Sequence, residues 1–249
     1  MKHKNLYLCC MIPAILAWTA CNSKPVSPRV AAASRTTDGL PVAVPEPPPE
    51  KLPHADPRVP PEQYENLDRT DQVAALYYAV SGLPVDYEKM ATLVSQDYRG
   101  TTDEFHKREL MQALKPAIDA SVAKYRLNKY FWVSFRGVQM DHYDFSTHAF
   151  PLRAPWIEEG AFAYFGYSAE YTVKFSNGSK LSRFTVEDET TARLLESRVS
   201  HFDAIDTAQV YLFAQGVDMN ANRVKCEITR VSLVDRKKNG LGELKPRAD

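Results

Sequence analysis

Eleven of the chain's 17 prolines crowd into residues 22–61, and that stretch contains no aromatic residue. Such a segment buries too little apolar surface to offset the entropy of ordering it, and proline biases it toward an extended path. As polyproline II it would reach about 120 Å at about 3.1 Å per residue. Its PEPPPEK stretch reads as a passive spacer rather than as a ligand for a proline-recognising groove. Folded structure is thereby confined to residues 64–240, about 175 residues and enough for one ordinary core.

Within that body the hydrophobic period is first 3.6 and then 2. TDQVAALYYAVSG predicts a helix with Thr70 as N-cap and a stop at Gly82, with Pro84 beyond. VDYEKMATLVS predicts a second, capped by Asp86, with Val85 placed to staple onto Met90. The third runs through TTDEFHKRELMQALKPAIDASVAKY. Thr101 and Glu104 have capping-box spacing there, Leu110, Leu114 and Ile118 form a stripe, and Pro116 is expected to kink or split the helix.

After residue 129 alternation takes over, with Phe131, Val133 and Phe135 on one face of a strand and Tyr130 and Trp132 on the other. Asn177 followed by Gly178 is a strong hairpin signal, and it would set Phe175 against Lys180 and Tyr171 against Phe184. VEDETTARLLESR predicts an inserted helix with acids in its first turn and Arg198 in its last. A second ribbon follows, AQVYLFAQGV and RVKCEITRVSLVD, in which the apolar phase slips from even to odd and predicts a bulge near Thr229 and Arg230. The expected class is α+β: N-terminal helices, then a mostly antiparallel β-sheet with one inserted helix. Residues 241–249 read as a flexible tail.

The start of the chain gives an address. Lys2 and Lys4 precede an apolar stretch over residues 6–20, which as a helix would reach about 22 Å, short of the ~30 Å hydrocarbon core. It therefore reads as a secretory signal rather than a membrane span. Thr19 and Ala20 directly before Cys21 resemble the lipobox of bacterial lipoproteins, although Trp18 stands where that family usually has Leu. The resemblance implies removal of residues 1–20 and acylation of Cys21, with residues 21–63 as the tether. Asn22, rather than Asp, implies the outer membrane, with the body facing the periplasm. The alternative is an ordinary cut after Thr19 and a soluble secreted protein.

Removing residues 1–20 leaves 29 basic against 31 acidic side chains. So balanced a chain has no long-range field to gather phosphates, which argues against nucleic acid as a partner. With Cys9 and Cys10 removed and Cys21 acylated, Cys226 has no disulfide partner, and its place in VKCEI reads as that of a small buried hydrophobe.

No GxSxG, HExxH, CxxC or phosphate-cradling glycine loop is present. His142 and His148, with Asp141 and Asp144, lie close together but match no metal-ligand spacing, and His201 with Asp203 lacks a nucleophile. They read as surface polar residues; a hydrolase site around the three histidines is the enzymatic alternative. No cofactor, metal or catalytic residue is expected.

Fourteen of the 27 aromatic residues fall within residues 130–175. Most should be core, but Tyr130, Trp132, Trp156, Tyr164 and Tyr167 are candidates to line a shallow groove open to a sugar or peptide. The stretch from SGLPVDYEKMA through YDFSTHAFPL resembles an uncharacterised family of bacterial envelope proteins, a likeness that implies no activity. Together these readings describe a non-catalytic lipoprotein that holds an envelope protein or other component, with peptidoglycan or another glycan as the alternative ligand.

Overall fold

A proline-rich approach segment leads into the folded body. The computed structural model describes residues 51–246 apart from 159, 167, 202 and 203. Contacts divide the chain into Met1–Pro48 and Pro49–Asp249, and every described residue belongs to the second unit. The signal sequence, Cys21 and the tether up to residue 50 lie outside the described residues.

A 3-10 turn at Pro61–Gln63 precedes β1 (Glu65–Asn66). Helix α1 (Thr70–Ser81) stops where Gly82 takes φ 69°, a left-handed cap that costs glycine nothing. At its other end the cap is Arg69 rather than the expected Thr70. The Gln72 side chain accepts from the amides of Asp68 and Arg69 at 2.9 and 3.0 Å, while the Thr70 hydroxyl donates to the Phe165 carbonyl.

Helix α2 (Tyr87–Val94) starts at Asp86, whose carboxylate accepts from the Lys89 amide at 3.1 Å. A short α3 (Gln96–Gly100), too brief for periodicity to reveal, leads to α4 (Glu104–Leu127), capped by Asp103 rather than by Thr101. Pro116 does not split α4. Both Pro116 and Gln112, whose carbonyl loses its donor, are exposed, so water can satisfy the freed group.

The strands that follow are β2 (Tyr130–Arg136), β3 (Gln139–Met140), β4 (Ala149–Arg153), β5 (Phe162–Phe165), β6 (Ser168–Phe175) and β7 (Arg183–Thr185). Helix α5 (Glu189–Val199) begins on Asp188, whose carboxylate accepts from the Thr191 amide at 2.7 Å. β8 (Thr207–Asp218), β9 (Arg223–Val234) and β10 (Gly240–Leu244) complete the chain. The fold is α+β. Its large sheet runs β1, β2, β8, β9, β6, β5, with β10 also on β9, and is mostly antiparallel; β3, β4 and β7 form a smaller sheet.

The ribbon of β8 and β9 carries the expected bulge: Tyr211 faces Arg230 and Leu212 faces Ile228, which leaves Thr229 unpaired. Inward-pointing Val210, Leu212, Val224, Cys226, Ile228, Val231 and Leu233 are fully buried, and α1 lies against β6, β8 and β9.

The hairpin expected at Asn177 and Gly178 is absent. β6 pairs antiparallel with β5 and parallel with β9, whereas β7 pairs with β4 in the other sheet. Two tertiary contacts override the local signal. The Asn177 amide accepts from Ile228 N at 2.8 Å and donates to Ile228 O at 2.9 Å, acting as a one-residue strand. It fills the gap on the edge of β9 between residues 223–226, paired with β6, and residues 231–234, paired with β10. Gly178 is required for proximity rather than for a turn, because a Cβ there would come within 1.7 Å of the Trp156 carbonyl oxygen.

Both ends of the body extend beyond the expected limits. Gly240–Leu244 pairs with β9 where a flexible tail was expected from residue 241, and Leu244 is buried. At the other end, residues 52–56 of the expected tether are held on the sheet by side chains. A strand edge and fixed polar side chains can dock main-chain groups, so little apolar surface is needed.

Candidate functional site

The side of the large sheet facing away from α1 is built in rows across the strands. Tyr130, Phe213 and Glu227 form the first row, and Trp132, Tyr211 and Arg230 the second. Ser134, Gln209, Ser232 and Glu243 form the third. The bulge at Thr229 makes this possible, since it returns Arg230 and Ser232 to the face that Glu227 occupies.

The aromatic rings are locked to one another. Tyr64 stands edge-on to Tyr130 and to Tyr211, each 5.2 Å away between centroids, and Tyr130 lies 5.0 Å from Phe213. Arg230 lies over Tyr211 at 5.6 Å and reaches Glu243 at 3.4 Å. Burial raises the Tyr64 phenol above its ordinary value, so it stays neutral and hydrogen-bonds Thr229 Oγ1 at 3.0 Å.

The chain itself covers the first row. Gln215 Nε2 donates to the Pro53 carbonyl at 2.9 Å, Glu227 Oε2 accepts from the Ala55 amide at 3.0 Å, and Tyr130 OH accepts from the Asp56 amide at 2.9 Å. Beside this strap a groove of about 1060 Å³ opens, with Leu52, Tyr64, Asn177, Glu227, Arg230 and Lys245 in its walls. Lys51 and Lys180 also line it, which brings four Lys and Arg side chains to the groove, two of them, Arg230 and Lys245, paired with Glu243 at 3.4 and 3.7 Å. The second and third rows lie outside the strap's hydrogen bonds, and Trp132, Tyr211, Gln209 and Ser232 are half-buried.

Of the candidate groove residues, Tyr130 and Trp132 stand on this face. Trp156 does not: it is completely buried and packs 5.7 Å from Phe135, so no ligand arriving from solvent can stack on it. Tyr167 and the side chain of Tyr164 lie outside the described residues. Gln215, Glu227, Tyr64 and Arg230 were missed. The odd phase of QVYLFAQ, placing Gln209, Tyr211 and Phe213 opposite the core, was the available signal.

The histidines do not share partners. His142 Nδ1 is 2.5 Å from Glu196 Oε1, His148 Nδ1 is 3.4 Å from the Tyr143 hydroxyl, and His201 Nδ1 is 2.6 Å from the Ser197 carbonyl. Asp144 caps its own turn. The Ser146 hydroxyl above all, with Thr147, holds its carboxyl down at about 2. Among the described residues, no group of three His, Cys, Asp or Glu side chains is arranged to hold a metal ion. Asp203 lies outside the described residues. Cys226 is fully buried and unpaired, and burial pushes its thiol up, away from the reactive thiolate.

Among the described residues no helix is long and apolar enough to cross a membrane. The chain matches no protein-family model, no curated protein and no solved structure.

Proposed function

We propose that this chain is a non-catalytic lipoprotein of the bacterial envelope whose body holds an envelope component on the open rows of its sheet. In this reading Cys21 carries the lipid at the outer membrane and the proline-rich segment keeps the body clear of the bilayer. One observation carries the binding role: Trp132, Tyr211 and Arg230 stand side by side on a rigid sheet, beyond the reach of the strap that covers the adjoining row. Rigid aromatic rings flanked by fixed polar groups form a contact surface at low entropic cost.

A glycan is the specific ligand that this face favours. Trp132 offers a ring face to the C–H side of a sugar, with Arg230 over the neighbouring Tyr211 ring, and Ser134, Gln209, Ser232 and Glu243 stand in the next row for its hydroxyls. Sedimentation with purified peptidoglycan tests this: the native chain is expected to pellet and Trp132→Ala to lose about tenfold in affinity, equivalent to about 1.4 kcal/mol. Unchanged pelleting at native thermal stability would reject the glycan. The anchor is tested by palmitate labelling in cells, where Cys21→Ala must lose the label that the native chain incorporates.

A further inference from the structure

The strap is held in a way that suits an exchangeable ligand. None of residues 51–63 is buried; among the described residues the first buried side chain is that of Tyr64. What the sheet recognises is chiefly main chain: one carbonyl, of Pro53, and two amides, of Ala55 and Asp56, beside one long side-chain contact, His54 Nδ1 at 3.4 Å from Glu227 Oε1. Pro53 and Pro57 bias the intervening backbone toward an extended path, which presents those groups outward. Leu52 lies over Gly216, where an added Cβ would come within 3.2 Å of Leu52 Cδ2.

The receiving groups are fixed independently of the strap. Gln215 occupies the second bulge of the ribbon, between Ala214 and Gly216, and its Oε1 accepts from the Ser176 hydroxyl at 2.8 Å. Its Nε2 also lies 3.4 Å from Glu227 Oε2, and the Tyr130 ring is wedged against Tyr64 and Phe213. These are preorganised acceptors and a donor on rigid strands, and the adjoining groove is not filled by residues 52–56.

We propose that Tyr130, Gln215 and Glu227 form a peptide-binding site that reads the backbone of an extended, proline-containing segment of a partner polypeptide, and that residues 52–56 are its intramolecular occupant. Lys180, Arg230 and Lys245 along the groove outnumber its carboxylates, Glu227 and the Glu243 that pairs with Arg230 and Lys245, and this basic balance favours a partner with acidic residues beside its proline. The occupant in cis has a high effective concentration, so the site opens only to a better-matched peptide or when the strap is drawn off the sheet. This inference goes beyond the glycan reading, which concerns the adjoining rows; Trp132→Ala serves as the control that separates them.

The test uses the whole mature chain and a fluorescein-labelled synthetic peptide of residues 50–61. The double variant Ala55→Pro, Asp56→Pro deletes both donated amides from the strap and is expected to bind the peptide at least tenfold more tightly than the native chain. Adding Glu227→Ala should reverse that gain, while adding Trp132→Ala should leave it unchanged. A peptide in which Lys51 and Arg58 are replaced by Glu should bind severalfold more tightly than the unmodified one. No gain in the double variant, or indifference to Glu227→Ala, overturns the site, and equal binding of the two peptides overturns the acidic preference.

Hydrogen exchange at Ala55 and Asp56 in the native chain provides a second measurement that does not depend on how the variants fold. Saturating peptide should accelerate both amides, and unchanged rates reject exchange. A dimer formed by the double variant without peptide would mean that copies of this chain fill one another's sites, which overturns the assignment to a partner polypeptide.

Discussion

On the side of the large sheet that meets the helices, Val210, Leu212, Val224, Ile228, Val231 and Leu233 are completely buried, whereas the opposite side carries Tyr130, Trp132, Tyr211, Glu227 and Arg230. Strands β8 and β9 contribute to both. The inner face is held by burial, which has no directional demand and tolerates no gaps. The outer face is held by ring edges, an Arg230 guanidinium over a ring, and hydrogen bonds to a passing backbone. It can therefore release one contact and accept another without loss of the core.

The comparison fails most directly if the two faces respond alike to truncation. Leu212→Ala is expected to cost about 3 kcal/mol in urea or thermal unfolding, the usual range for a buried leucine. Trp132→Ala, one strand away on the outer face, should cost only about 1 kcal/mol because its ring already meets solvent. Equal losses would mean that the outer face belongs to the core.

A smaller effect is expected at the seam where β6 gives way to β10. Asn177→Ala leaves Ile228 N–H and C=O without their partners and should destabilise the chain by about 2 kcal/mol. Asn177→Asp keeps the acceptor for Ile228 N–H but cannot donate to its carbonyl, so it should fall between the two. If Asn177→Ala is neutral, water has replaced the side chain and the seam is not structural.

The smallest effect is a pH dependence at the buried Asp235, which receives the Asn239 amide at 2.8 Å and Arg198 Nη1 at 3.0 Å. The Asn239 amide first, with Arg198 contributing, holds this carboxyl below its ordinary 3.8. A folded value below the unfolded one means that the stabilisation is complete above the ordinary carboxylate range and is lost as pH falls through the depressed value. Asp235→Asn should therefore flatten the acid limb of a melting-temperature profile below about pH 4 and leave its shape above pH 5 unchanged. An acid limb identical to the native one would place the linkage elsewhere.

The elements read correctly from sequence are those whose causes are local. Gly82 ends α1 because the left-handed cap suits it, Asp86 starts α2 because its carboxylate reaches the Lys89 amide, and the slip of apolar phase near Thr229 is the bulge itself. Some misreadings were local, such as the cap of α4 at Asp103 rather than Thr101, but the hairpin and Trp156 were misread because of distant partners. The turn preference of Asn177 and Gly178 lost to two hydrogen bonds with Ile228, fifty-one residues away. Trp156 resembled any other aromatic in its run until the folded chain closed over it, with Gly178 pressed against its carbonyl.

Residue types and spacing alone determined the stop of α1 at Gly82, the start of α2 at Asp86, the alternation of β2, β8 and β9, the α+β class and the placement of a proline-dense segment before the body. These follow from dihedral preferences and from the period at which apolar side chains recur. Tertiary structure alone decided that residues 52–56 and 240–244 dock on the sheet, and that Tyr64, Gln215, Glu227 and Arg230 meet on one face. Those contacts join groups far apart along the chain, and their partners take up fixed positions only when the sheet has assembled.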